Sequence, residues 1–189
     1  MERALFLDRD GVINREVGYL VRKEDVQFVD GIFSLCKTAQ QLGYRLVVVT
    51  NQAGIARGLY TEHDYQTLML WMSEQFRAEG IVFDGVYHCP YHPEHGLGEY
   101  KREHEDRKPG AGMLRRAARD LHISLSESVM VGDRCTDIAA AAEGSLSHAF
   151  LIRGTEPASC SGSYTIVDSL AEVELWLRQQ AKKAEPASF

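Results

Sequence analysis

The stretch Arg45-Leu46-Val47-Val48-Val49-Thr50 limits the fold more than any other feature of the chain. Its apolar residues run without alternation and are mostly β-branched. A strand with one wet face alternates apolar and polar positions, whereas a strand covered on both faces does not. The run therefore predicts a buried, parallel strand. Similar runs occur at 4–7, 83–88, 128–132 and 149–152, with a shorter edge candidate at 165–167. Helical stretches separate them, at 31–42, from Thr61 onward, at 109–121, at 137–143 and at 170–182. In the second of these, Tyr65, Leu68, Met69, Met72 and Phe76 follow the i, i+3, i+4, i+7 pattern of one helix face. Thr61 and Asp64 have the spacing of a capping box, with Asp in place of Glu. Pro109 suits a first helical position. Trp71 and Trp176 fall on amphipathic helices and read as core.

Alternation of this kind predicts an α/β fold: a doubly wound, mostly parallel sheet flanked by helices on both faces. One domain over residues 1–189 is expected, with a loop insert at about 88–107 and a frayed tail from about 184. Between Asp8 and Thr50 there is room for only a loop and one helix, so no large cap domain is expected.

In such sheets ligands bind beyond the carboxyl ends of the strands. Asp8-Arg9-Asp10-Gly11 follow the first predicted strand, and Thr50 and Asn51 close the second. Arg107-Lys108 precede the third long helix, and Asp133 and Asp137 follow the fourth strand. Together they bring carboxylates, a hydroxyl and two cations to one sheet edge. Carboxylates so close repel unless a cation lies among them. Hard oxygen donors suit Mg²⁺, and Mg²⁺ beside a lysine suits a phosphate dianion. Asp8 can act as a carboxylate nucleophile and Asp10 as an acid/base, once Gly11 and its turn redirect Asp10 toward the site. Thr50 and Lys108 can hold phosphoryl oxygens, and Asp133 the metal. Asp137 reads equally as a helix N-cap and as an orienter of Lys108 or the metal.

Composition narrows the partners. A net charge of −6 gives no basic face for nucleic acid. No apolar run reaches the roughly 20 residues of a membrane span. The start MERALFLDRDG lacks a signal-peptide core. Cys36, Cys89, Cys135 and Cys160 show no paired spacing, which suits a reducing cytoplasm. A cytoplasmic monomer acting on a small molecule is expected.

The segments LFLDRDGV, VVVTNQ, RKP and GDRCTD resemble the four motifs of the haloacid dehalogenase superfamily of phosphotransferases. Four in order, each placed at a predicted strand end or helix start, form a specific signal. Aspartate at position 10, where the ATPases of the superfamily carry threonine, marks phosphatases and mutases. Within the superfamily, LDRDGVIN with GYL, VVVTNQAGIARG, CPYHP and DRKPGAGML resemble the heptose-bisphosphate phosphatases, over residues 5–152. The resemblance implies Asp8 as nucleophile, Asp10 as acid/base, and Thr50 and Lys108 on the phosphoryl group. It implies Mg²⁺ on Asp8, Asp133 and a backbone oxygen near Asp10. Glu16, Val17, Gly18, Tyr19, Asn51, Gln52, Ala53 and Arg107 would meet a sugar phosphate. Histidinol-phosphate phosphatases are the nearest alternative, but Gly18-Tyr19 and Ile55-Ala56-Arg57-Gly58 fit the heptose enzymes better. A non-catalytic module on this fold is a third reading, which the intact acidic residues oppose.

The segment HCPYHPEHGLGEYKREHEDRKPG, 88–110, lies where the family carries a zinc loop of the form Cys-x-His, spacer, Cys-x-Cys. Only Cys89 matches; Tyr91, His104 and Asp106 stand at the other three positions. Cys89, His92, His104 and Asp106 are all types that Zn²⁺ accepts, so a rebuilt structural zinc site is expected here. An ordinary solvated charge run over 103–106 competes with it.

Overall fold

The computed structural model describes residues 1–154 and 159–184. Among the described residues six strands form one sheet: β1 (Arg3–Leu7), β2 (Tyr44–Asn51), β3 (Gly85–Cys89), β4 (Val129–Gly132), β5 (His148–Ile152) and β6 (Thr165–Val167). Their order is β3-β2-β1-β4-β5-β6, and every pair is parallel. The expected sheet is present, and β1 lies at its centre.

Pleating sends alternate residues to opposite faces. Leu5, Leu7, Leu46, Val48, Val129 and Val131 pack on one face with α1 (Ile32–Gln41), α3 (Glu62–Ala78) and α6 (Leu170–Ala184). Ala4, Phe6, Val47, Val49 and Met130 pack on the other with α4 (Gly112–Asp120) and α5 (Cys135–Glu143). Two buried faces explain the unbroken apolar runs. The stripe Tyr65, Leu68, Met69, Met72 and Phe76 is the buried face of α3. Its capping box is formed: Asp64 N donates to Thr61 Oγ1 at 3.1 Å and Thr61 N to Asp64 Oδ2 at 2.8 Å. Trp71 and Trp176 pack against the first core, partly buried.

The differences fall at helix starts. A short α2 (Ala53–Ala56) follows β2; four residues are too few to show a period. Pro109 does not open α4. The Lys108–Pro109 bond is cis, and the helix begins at Gly112. α5 starts at Cys135, ahead of Asp137. The cysteines also differ from expectation: Cys135 and Cys160 form a disulfide, with Cα atoms 5.0 Å apart. They are 25 residues apart in the chain, so local spacing could not reveal the pair. Cysteine spacing therefore carries no argument about compartment. The predicted fraying from about 184 falls almost wholly outside the described residues. No described helix is long and apolar enough to cross a membrane.

Candidate active site

The carboxyl ends of β1, β2 and β4 meet at a cavity of about 610 Å³. Asp8, immediately after β1, is buried. Its Oδ1 accepts from Arg9 N at 2.8 Å and lies 2.9 Å from Lys108 Nζ. Lys108 Nζ also lies 2.6 Å from Asp137 Oδ1 and donates to Val49 O at 2.9 Å. The ammonium is thus aimed by three groups from β1, β2 and α5. Burial opposes its charge, but Asp137 and Asp8 outweigh that and raise its pKa. α5 takes Arg134 as its N-cap. Asp137 therefore does not cap the helix as one sequence reading expected, but meets the other, as an orienter of Lys108. It stands in the first turn of α5, where its Oδ2 accepts from Arg134 N at 3.0 Å, and its other oxygen orients Lys108.

Two glycines make the acidic cluster possible. A Cβ on Gly11, at φ +84°, would lie 2.2 Å from Asp133 Oδ2. One on Gly132 would lie 2.2 Å from the Asp137 Cβ. Asp8, Asp133 and Asp137 bring one oxygen each within 4.8 Å of one another. Among the described residues they are the only such group of three or more Asp, Glu, His or Cys side chains. Burial first, then Asp8 and Asp137, pushes Asp133 up to about 8; burial also pushes Asp8 up to about 6, against the opposing pull of Lys108. Asp133 Oδ1 is buried and has no hydrogen-bond partner. Lys108 relieves this repulsion at Asp8 and Asp137 but leaves Asp133 Oδ1 without a partner, and such an oxygen-only donor set fits a hard divalent cation such as Mg²⁺. The Asp10 carboxylate is outside the group, turned into a bidentate contact with Arg9 at 2.7 and 2.8 Å.

Other predicted residues reach the cavity in different ways. Thr50 lines it, buried near the end of β2. Glu16, Gly18, Tyr19, Asn51, Gln52, Ala53 and Arg107 also line it, and Val17 does not. The Asn51 side chain is a clamp: Lys108 N donates to Asn51 Oδ1 at 3.0 Å, and Asn51 Nδ2 to Lys108 O at 2.9 Å. Arg107 Nη1 donates to Tyr91 O at 3.1 Å, which ties its guanidinium to the loop. Gly54, Arg57, Tyr60, Arg134, Cys135 and Thr136 also line the cavity and were not among the expected site residues. Arg134 pairs with Glu16 at 3.1 Å across the mouth. Arg57 follows β2's end closely enough to have been found by the strand-end rule.

The zinc expectation is corrected. Cys89, His92, His104 and Asp106 form no metal-holding group. Asp106 is held by Arg116 Nη1 at 2.6 Å. Buried Cys89 Sγ is 4.0 Å from Tyr91 O. His92 turns to the cavity wall, where its Nδ1 accepts from the backbone of Glu94 and His95. His104 stacks on Tyr91 at 4.6 Å, and Arg102 lies 4.0 Å from the same ring. Tyr91, standing where the family carries histidine, has become the hub of a stacked cluster.

A parallel sheet with an aspartate after its first strand, and a lysine and acidic cluster around it, defines a phosphatase of the haloacid dehalogenase-like class, a hydrolase of phosphoric monoesters. A family profile described as "HAD-hyrolase-like" matches residues 106–173. The chain belongs to the family of D-glycero-D-manno-heptose-1,7-bisphosphate 7-phosphatases. It is 42% identical over 182 residues to the β-anomer 7-phosphatase of Vibrio cholerae, covering 95% of this chain and 98% of that one. It is 51% identical over 150 residues to the α-anomer 7-phosphatase of Burkholderia mallei, covering 79% of each. The crystal structure of the D,D-heptose 1,7-bisphosphate phosphatase of B. bronchiseptica, complexed with magnesium and phosphate, superposes with a TM-score of 0.75 at 26% identity, covering 94% of this chain and 99% of that one.

Proposed function

We propose that this chain removes the 7-phosphate of D-glycero-D-manno-heptose 1,7-bisphosphate, in the synthesis of nucleotide-activated heptose. The observation that carries the chemistry is the placement of Lys108 Nζ 2.9 Å from Asp8 beside Asp133, whose Oδ1 is buried without a hydrogen-bond partner. The named relatives support the substrate. An Asp8 oxygen attacks phosphorus, and the bond from phosphorus to the sugar oxygen breaks. Asp10 gives its proton to the leaving alkoxide. Asp10 then takes a proton from water as the oxygen of that water attacks the aspartyl-phosphate, releasing phosphate and restoring Asp8. Thr50 and Lys108 hold the phosphoryl oxygens throughout. Asp8, Asp133 and a backbone oxygen near Asp10 would hold Mg²⁺, which neutralises charge on the phosphoryl group when bound. Arg107 would meet the second phosphate.

The test is phosphate release, with Mg²⁺ present, from both anomers of the bisphosphate, from heptose monophosphates and from histidinol phosphate. The bisphosphate should be the best substrate. A preference for histidinol phosphate would reassign the substrate, and no release from any of them would remove the catalytic reading.

A further inference from the structure

Asp10 is gripped from two sides. Arg9, 1% exposed, holds both carboxylate oxygens, and Asn14 Nδ2 adds a contact to Oδ1 at 3.0 Å. From the opposite side Gln52 Nε2 donates to Asp10 Oδ2 at 3.2 Å and to Thr50 Oγ1 at 2.8 Å. Among the described residues, this amide alone donates to both Asp10 and Thr50. An amide can serve there only if its nitrogen, not its oxygen, faces Asp10, because a carboxylate offers only acceptors. Tyr60 supplies that choice. Its hydroxyl donates to Gln52 Oε1 at 2.6 Å, which leaves Nε2 for Asp10 and Thr50. Gln52 and Tyr60 are both buried, so no flood of water competes for these bonds. Burial pushes the Tyr60 hydroxyl up to about 12, and it remains a donor at any working pH. The backbone is shaped around this ring: a Cβ on Gly54 would lie 2.2 Å from Tyr60 Cε1.

We propose that Tyr60 is a positioning residue for the acid/base: it locks the Gln52 amide, and the amide holds Asp10 in register with the phosphoryl-binding Thr50. The inference rests on the reading of Asp10 as the acid. In the first step Asp10 gives a proton to the leaving oxygen as the ester bond breaks. A sugar alkoxide needs that proton; p-nitrophenolate leaves without it. Misplacing Asp10 therefore slows the step on an alkyl phosphate far more than on an aryl phosphate. The ratio of the two kcat/KM values isolates this, since kcat/KM covers events only up to ester cleavage.

The experiment measures that ratio, heptose bisphosphate over p-nitrophenyl phosphate, with Mg²⁺, in wild type, Tyr60→Phe, Gln52→Met and Asp10→Asn. Tyr60→Phe keeps the ring and removes one hydrogen bond, so the ratio should fall about three- to tenfold. Gln52→Met keeps the bulk and loses every side-chain hydrogen bond, so the fall should be about tenfold or more. Melting curves confirm that each variant is folded. A ratio unchanged in both folded variants, while Asp10→Asn lowers it, overturns the positioning role and leaves Asp10 as the acid. A ratio unchanged in Asp10→Asn as well overturns the reading of Asp10, and this inference with it.

Discussion

Asp8 and Asp10 are two residues apart, yet their carboxylates occupy opposite surroundings. Asp8 faces Lys108 and the acidic cluster, and Asp10 faces Arg9, Asn14 and Gln52. Asp8→Asn should abolish steady-state phosphate release, because an amide does not attack phosphorus; full activity there would end the mechanism. Asp10→Asn should slow release on the sugar bisphosphate by about 10²–10⁴. Arg107→Ala should lower kcat/KM for the bisphosphate about ten- to a hundredfold more than for a monophosphate, the worth of one charged bidentate contact. Equal losses on both substrates would reduce Arg107 to a support for the loop it binds through Tyr91. The residues legible in the sequence were those in short motifs at strand ends, where chain position alone fixes location. Tyr60 was not legible. It precedes the cap residue Thr61, where an apolar residue is ordinary, and nothing local shows that its hydroxyl reaches Gln52.

At the scale of elements, strands were easier to read than helix starts. A strand buried on two faces announces itself by composition, whereas a helix start depends on turn geometry made by distant contacts. Thr61–Asp64 was the exception, because that cap is built from two residues three apart. The loop at 88–107 was misread for a related reason: residue types that suit zinc say nothing about whether their atoms converge. Metal analysis of untagged protein should find no stoichiometric zinc, and one zinc per chain would restore the metal site. Arg116→Ala would leave the buried Asp106 without its 2.6 Å partner. Discounted for the partial exposure of Arg116, the loss should be about 1–2 kcal/mol, read as a few degrees in Tm. A silent substitution would mean that the loop is held by its other contacts, such as the Tyr91–His104 stack and the Arg107 bond to Tyr91 O.

For the molecule as a whole, the acidic cluster couples stability to pH and to metal. Asp8 and Asp133 have folded-state pKa values near 6 and 8, above the ordinary 3.8. Between about 4 and 8 the metal-free fold therefore binds more protons than the unfolded chain. Their contribution is fully present below 3.8 and is lost as pH rises through 6 and then 8. Mg²⁺ should replace the missing protons, so its effect on Tm should be larger at pH 8 than at pH 5, as calorimetry with and without Mg²⁺ would show. An equal shift at both values would place the metal elsewhere. The global arrangement was legible because alternation of buried strands and amphipathic helices leaves few topologies. The Cys135–Cys160 bond was not, since only the folded chain brings those residues together.

The grip on Lys108 has a consequence in time. Its partners lie far away along the chain: Asn51 is 57 residues distant and Val49 is 59, while Asp137 comes later still. β1, which precedes the other described strands in the chain, must wait for β4 to be added at its other side. A nascent chain that ends before α5 has Asp8, Val49 and Lys108 but lacks Asp137, so the ammonium is held incompletely until α5 has been made. Such non-local pairing is slow to form. In refolding, phosphatase activity should return together with the last phase of the circular dichroism signal, never ahead of it.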